Sequence, residues 1–222
     1  MQGYPPFFRY KVVCYPLTGA VTTTPNQNTS AQKIDPINPW ALQGVTHINL
    51  DLDHELLGDV LQSIAAKKNS QLPLSQTCLL LEEITDSCVA LIMRFDTAAN
   101  TLHLVSAPSL SSQMRQLFTG ITVHAGVGSC AASILNRDLV VVSDTLTDPN
   151  WLGAQELVRK TGVRACWSMP IFGADQNILG TISLSSLKPG APDQTVIRNL
   201  TFCARLAAIA LQFCGEPATP EE

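Results

Sequence analysis

Two runs decide the fold: Ala165-Cys-Trp-Ser-Met-Pro-Ile-Phe172 and Ile178-Leu-Gly-Thr-Ile-Ser-Leu-Ser185, joined by Gly173-Ala-Asp-Gln-Asn177. Each run is eight residues of mostly apolar or β-branched character, the length and composition of a strand. The link is short, polar and rich in turn formers, so the two strands are expected to pair antiparallel. Working backward, Leu139 to Val142 is a third apolar run, and Cys88 to Phe95 with Thr101 to Ala107 form a second hairpin about the turn at Asp96 to Asn100.

Helices fill the spaces between. A first helix is expected after Asp51 or Asp53, either of which can act as N-cap, with Leu56, Leu57, Val60, Leu61 and Ile64 on one stripe. It should end near Lys67-Lys68-Asn69, where cations suit the C-terminal dipole. A second is expected after Pro73, capped by Ser75 and reaching Ile84. Shorter helices are predicted over Ser111 to Phe118, Ser129 to Asn136 and Ala154 to Lys160. The last opens at Pro192-Asp193 and runs to Cys214. Its positions 196, 197, 200, 204, 207 and 211 form one apolar stripe, and 202, 206, 209 and 213 a second, at ~100° per residue. A helix apolar on two sides needs two partners, the sheet and either the first helix or a second subunit. The pattern is α+β: a central antiparallel sheet with helices on its faces.

Composition bounds the function. The chain has 222 residues, 45 % of them hydrophobic and 14 % charged, which suits one folded domain with an appendage. A net charge of −4 and few adjacent basic residues, Lys67-Lys68 among them, argue against a phosphate-binding stripe, so nucleic acid is not an expected partner. No apolar run approaches the ~20 residues of a membrane span, and no basic start followed by an apolar stretch marks a signal peptide. A cytoplasmic compartment is expected. Residues 1–45, with Pro5, Pro6, Pro16, Pro25, Pro36 and Pro39, read as an irregular arm; residues 46–214 form the domain; residues 215–222 are a tail or the start of a linker.

The seven cysteines, at 14, 78, 88, 130, 166, 203 and 214, show no two-residue spacing and so no paired-cysteine metal site. Most sit among apolar neighbours and read as reduced core thiols. His47, His54, His103 and His124 have no motif spacing, and no metal ligand is assigned.

The segments Ala107-Pro-Ser-Leu110, Gly126-Val-Gly-Ser-Cys-Ala131, Val142-Ser-Asp-Thr-Leu-Thr-Asp-Pro-Asn-Trp151, Arg164-Ala-Cys-Trp-Ser-Met-Pro-Ile171 and Leu179-Gly-Thr-Ile-Ser-Leu184 occur in an order that resembles a GAF domain. The resemblance runs from about Val60 to Gln212. It is to the type found beside PAS, diguanylate cyclase and phosphodiesterase domains in bacterial cyclic-di-GMP signalling proteins.

It implies a PAS-related sheet of five to six strands and a ligand cavity on its concave face. The cavity would be lined by Ala107, Pro108, Ser109, Leu110, Ser129, Cys130, Asp144, Trp151, Leu152, Cys166 and Ser168. Bland readings stand beside these: Ser129 as a helix cap, Trp151 and Trp167 as packing, Asp144 as a turn former. The function implied is regulatory sensing of a small molecule or oxidant, with a lid around Trp151, biasing a cyclic-di-GMP or kinase type output domain or a partner protein. No output domain is visible, and the chain reads as a fragment of a larger sensor or a lone domain. The Asn-Lys-Phe-Asp-Glu pattern of cyclic-nucleotide GAF domains is absent, which leaves ligand and cofactor unidentified.

Cys130 is the redox candidate, because the positive end of a helix dipole generally favours thiolate over thiol. A related enzyme family, the free methionine sulfoxide reductases, is similar at this cysteine. It also needs cysteines where this chain has Arg159 and Gly120, so a reductase is the lesser alternative. Another alternative is a dimerisation module with a vestigial pocket. A homodimer is expected in either case, through Phe202, Leu206, Ile209 and Phe213.

Overall fold

The hairpins form because their turns supply their own hydrogen bonds. Asp96 Oδ1 accepts from the amides of Ala98 and Ala99, at 2.9 and 3.0 Å, and Asn100 takes a φ of 53°. Asp175 Oδ1 accepts from Asn177 N at 3.1 Å beside Gln176 at φ 65°. The structure is a computed structural model that describes residues 54–66, 69–85 and 88–214. The expected arm at 1–45, the caps at Asp51 and Asp53, Lys67-Lys68, Cys14, His47 and the tail at 215–222 lie outside the described residues.

The helices are α1 (His54–Ala66), α2 (Gln71–Glu83), α3 (Ser112–Arg115, extended by a 3-10 turn Gln116–Phe118), α4 (Ser129–Asn136), α5 (Gln155–Thr161, preceded by a 3-10 segment Pro149–Ala154) and α6 (Gln194–Phe213). The strands are β1 (Cys88–Asp96), β2 (Thr101–Ser106), β3 (Thr119–Thr122), β4 (Val140–Val142), β5 (Ala165–Phe172) and β6 (Ile178–Ser186). They form one six-stranded sheet in the order β3-β2-β1-β6-β5-β4, antiparallel throughout. The α+β architecture expected from the sequence is therefore the one present.

The central pairing joins β1 to β6, with Leu91 opposite Ser183 and Arg94 opposite Gly180. The strands approach so closely there that a Cβ on Gly180 would lie 1.9 Å from the Met93 carbonyl oxygen. Alternation then divides the sheet. Val89, Leu91 and Met93 face one side with Ser183 and Ser185; Ala90, Ile92, Ile182 and Leu184 face the other, under α2 and α6. α4 packs on the first side against β4, β5 and β6.

Three expectations need correction. α2 starts at Gln71 with Pro73 in its first turn, where the missing proline N–H has no helical partner to lose; Ser75 lies inside the helix and its hydroxyl sits 3.3 Å from that of Ser106. β3 was not anticipated, since Thr119-Gly-Ile-Thr122 is a short, largely exposed edge with Gly120 at φ 71° and carries no apolar run. The second partner of α6 is chiefly α2, with α1 touching less of it.

That last arrangement changes the expected dimer stripe. Leu206 is 5 % exposed, buried inside the chain, and Phe202 is half-buried, whereas Ile209 and Phe213 stay 40 % and 58 % exposed. By length and hydropathy α6 could cross a bilayer, yet Leu200, Cys203, Ala207 and Leu211 are buried in the protein, as in a core helix.

Candidate functional site

A cavity lies between the β1-β6-β5 floor and a roof made by α4 and the segment around Trp151. Val89, Leu91 and Met93 form the apolar part of the floor, and Cys166, Ser183 and Ser185 the polar part. Leu110, Phe118, Ile121 and Val127 close one side; Leu157, Thr161 and Val163 close another. The free space is ≈ 570 Å³ counted with its opening to solvent, of which ≈ 30 Å³ takes the centre of a water-sized molecule. No charged side chain lines it among the described residues.

The polar floor follows from register. Cys166 pairs with Ser185 and Ser168 with Ser183, so all four point the same way beneath the start of α4. Ser168 donates its hydroxyl to Ser129 Oγ at 2.9 Å. Cys130 Sγ lies 3.5 Å from Ser168 Oγ and donates to Ser183 Oγ at 3.5 Å. Cys166 Sγ is 3.5 Å from Ser185 Oγ and 3.8 Å from Ser168 Oγ. Burial, with the neighbouring Cys130 adding to it, pushes the Cys166 thiol up to about 11. No disulfide joins the described cysteines.

The roof is stapled to α4. Gly128, at φ 115°, is the residue before the helix, in a conformation a side chain rarely adopts, and its amide donates to Asn150 O at 2.7 Å. The expected Ser129 cap is therefore absent: Ser129 is the first helical residue, and its hydroxyl meets Ser168 instead. Gly153 N donates to Gly126 O at 2.8 Å. Asp148 Oδ1 accepts from Asn150 N at 2.8 Å and so starts the turn that carries Trp151. Trp151 is 4 % exposed and its Nε1 has no hydrogen-bond partner.

Of the residues assigned to the pocket by resemblance, Leu110, Ser129, Cys130, Trp151 and Cys166 line it. Ser168 lies just behind, bonded to Ser129. The others do not line it. Ala107 O accepts from Leu110 N at 3.1 Å, and Pro108 O accepts from Arg115 Nη2 at 2.9 Å, so these two shape the turn. Ser109 donates to Glu82 Oε2 at 2.5 Å. Asp144 faces Arg164, whose Nη2 donates at 2.8 Å, and accepts from Leu146 N at 3.0 Å; the guanidinium holds its carboxyl below the usual range. Leu152 is 66 % exposed. Ser183 and Ser185 were missed, although Thr181, Ser183 and Ser185 alternate with Ile182 and Leu184, a period-two signal for a polar face.

Trp167 points to the other face of β5 and donates Nε1 to Gly190 O at 3.1 Å. Among the described residues there is no cluster of three or more His, Cys, Asp or Glu that could hold a metal ion. What the site offers chemically is hydroxyls and thiols in an apolar chamber, with an unpartnered indole N–H buried in its roof, groups suited to hold a molecule.

A chamber roofed by a short helix over one face of an antiparallel sheet defines a class of small α+β domains. Residues 74–212 match the GAF domain family model, and the chain belongs to that family. It is 26 % identical over 143 residues to the methyl sulfide methyltransferase-associated sensor of Methanosarcina acetivorans, covering 63 % of this chain and 14 % of that protein, so it spans about a seventh of that relative's length. The fold is similar to the GAF domain of a phosphoenolpyruvate-protein phosphotransferase from Coxiella burnetii (TM-score 0.55, 17 % identity, 69 % of this chain and 89 % of that one). It is also similar to free methionine-R-sulfoxide reductase from Neisseria meningitidis, solved in complex with its substrate (TM-score 0.54, 21 % identity, 71 % and 87 %).

Proposed function

We infer that this chain is a regulatory sensory domain whose signal is a small molecule, or an oxidant acting at Cys130, entering the cavity beneath Trp151. The observation that carries the reading is the shared strand β5: α4 and its cavity pack on one face, α6 on the other. A ligand that shifts α4 or the Trp151 roof changes the surface against which α6 rests, and α6 is the element positioned to bias an output. The output is a cyclic-di-GMP or kinase type domain or a separate partner, and the domain works as a homodimer in the cytoplasm, without nucleic acid. The relative named as a sensor supports the sensing role.

The role is regulatory and not enzymatic. Likeness to a reductase concerns the fold; at the positions where that family's resemblance calls for further cysteines, Arg159 is on α5, paired with Glu156 at 2.6 Å, and Gly120 is in β3. Cys130 faces two serines and not a second thiol of that set.

A thermal-shift screen of nucleotides, purines, amino acids, haem and mild oxidants tests the reading. A true ligand at a hundred times its dissociation constant adds about 2.7 kcal/mol to the folded form. The shift should vanish in Trp151→Ala and Ser183→Ala variants that retain their circular dichroism. A shift that survives both variants places the ligand outside this cavity.

A further inference from the structure

The geometry points to the chemical class of the cavity's ligand: an uncharged organic molecule of few non-hydrogen atoms, carrying a carbonyl-type acceptor that takes the Trp151 indole N–H. This rests on the sensory-cavity reading above and narrows it.

The roof supplies the first observation. Trp151 is 4 % exposed, and its Nε1 is buried with no acceptor, in a protein where the other described tryptophan, Trp167, has one in Gly190 O. Buried N–H groups are nearly always satisfied, and the exceptions collect where something else binds. The Cε2–Cζ2 edge of the indole, Cε2 being bonded to that nitrogen, lies 3.9 Å from where a Cβ on Gly128 would stand. Gly128 and Trp151 both line the cavity, and the nitrogen is buried beside that lining, where a small movement of the roof on binding opens it to the bound molecule. A donor without an acceptor selects a ligand that brings one.

The walls decide its charge. Among the described residues the polar lining consists of Ser129, Cys130, Thr161, Cys166, Ser183 and Ser185, with no lysine, arginine or histidine to meet an anion and no carboxylate to meet a cation. Moving a charged group into such a chamber forfeits its hydration without a counter-ion. Hydroxyls and thiols both donate and accept, so they fit a neutral polar group of either kind, whereas the indole N–H only donates.

The walls also decide its size. The ≈ 30 Å³ open to the centre of a water-sized molecule compares with the ~150 Å³ of a cavity that takes benzene. In this closed form the chamber holds a molecule smaller than an aromatic ring. A cyclic dinucleotide is excluded from it by volume and by charge together.

The test uses the full 222-residue chain, labelled with 15N at tryptophan and 13C at leucine and valine methyls. Acetone and N-methylacetamide are the neutral probes; acetate, nearly the same shape as acetone, and cyclic di-GMP are the charged ones. The expected result is a saturable downfield move of the Trp151 indole proton by several tenths of a part per million with a neutral probe. The Leu91 and Val127 methyls should move with it, the Trp167 indole should stay in place, and acetate or cyclic di-GMP should do nothing at matched concentration. Trp151→Phe, which keeps an aromatic roof, should weaken neutral-probe binding by about three- to tenfold, the size of one lost hydrogen bond. The wild-type indole readout stands by itself if that variant does not fold. Methyl shifts without an indole shift would overturn the N–H role, and binding of acetate or cyclic di-GMP at the Trp151 indole would overturn the neutral class; either leaves the sensory reading standing. No movement of indole or methyls with any probe would overturn both.

Discussion

Glu82 projects from α2 toward the corner between β1 and the 107–110 turn, where its Oε1 accepts Ala90 N at 2.8 Å and its Oε2 accepts the Ser109 hydroxyl. Burial raises its pKa, with the two hydrogen bonds opposing the rise. A carboxyl raised in the folded state favours the protonated form there, so its contribution is fully present below the unfolded carboxylate pKa and is lost as pH rises through the folded one. Glu82→Gln keeps an acceptor for Ala90 N and offers Ser109 an amide. Urea denaturation of both proteins from pH 4 to 7 should therefore show the variant gaining stability relative to wild type as pH rises. A constant difference across that range would mean that Glu82 keeps an ordinary pKa. The motif that drew attention to Ser109 was real as a turn, but its chemistry belongs to a carboxylate 27 residues away, which no local pattern reveals.

At the scale of elements, the β1–β6 pairing is where the sheet is least forgiving. An alanine at 180 would put its Cβ 1.9 Å from Met93 O and 3.0 Å from Met93 C, both backbone atoms that cannot rotate away. Gly180→Ala should cost about 3 kcal/mol, at the upper end of the range for overpacked sites, read as a lowered urea midpoint with unchanged slope. The sequence shows only that a glycine sits inside the apolar run of β6. Which carbonyl it must clear depends on β1, whose Met93 lies 87 residues earlier. The same holds for α6: its two apolar stripes are plain in the sequence, whereas the choice of α2 as its chief helical partner rests on contacts between elements far apart in the sequence.

For the whole molecule, Ile209 and Phe213 on α6 stay exposed, and we propose them as part of the surface through which a homodimer forms. Sedimentation at tens of micromolar should show a dimer that Ile209→Glu with Phe213→Glu converts to a folded monomer. Leu206→Glu should instead unfold the chain, since it places an unpaired charge in the interior. A monomeric wild type at that concentration would remove the dimer.

By itself the sequence determined the elements other than β3 and their order, because period-two and period-3.6 apolar patterns, aspartate caps such as Asp193, and the Asp96 and Asp175 turns act within a few residues of themselves. It also carried the family resemblance and, within it, Ser129, Cys130, Trp151 and Cys166 near one another. Only the tertiary structure decided that Ser183 and Ser185 complete the polar floor, that Asp144 turns to Arg164 and away from the cavity, that Leu152 faces solvent, and that the Trp151 N–H is left without an acceptor. Each of these depends on strand register or on the face a residue presents to a distant neighbour. A one-residue change of register would reverse the two sides of the sheet while leaving the local patterns almost as they are.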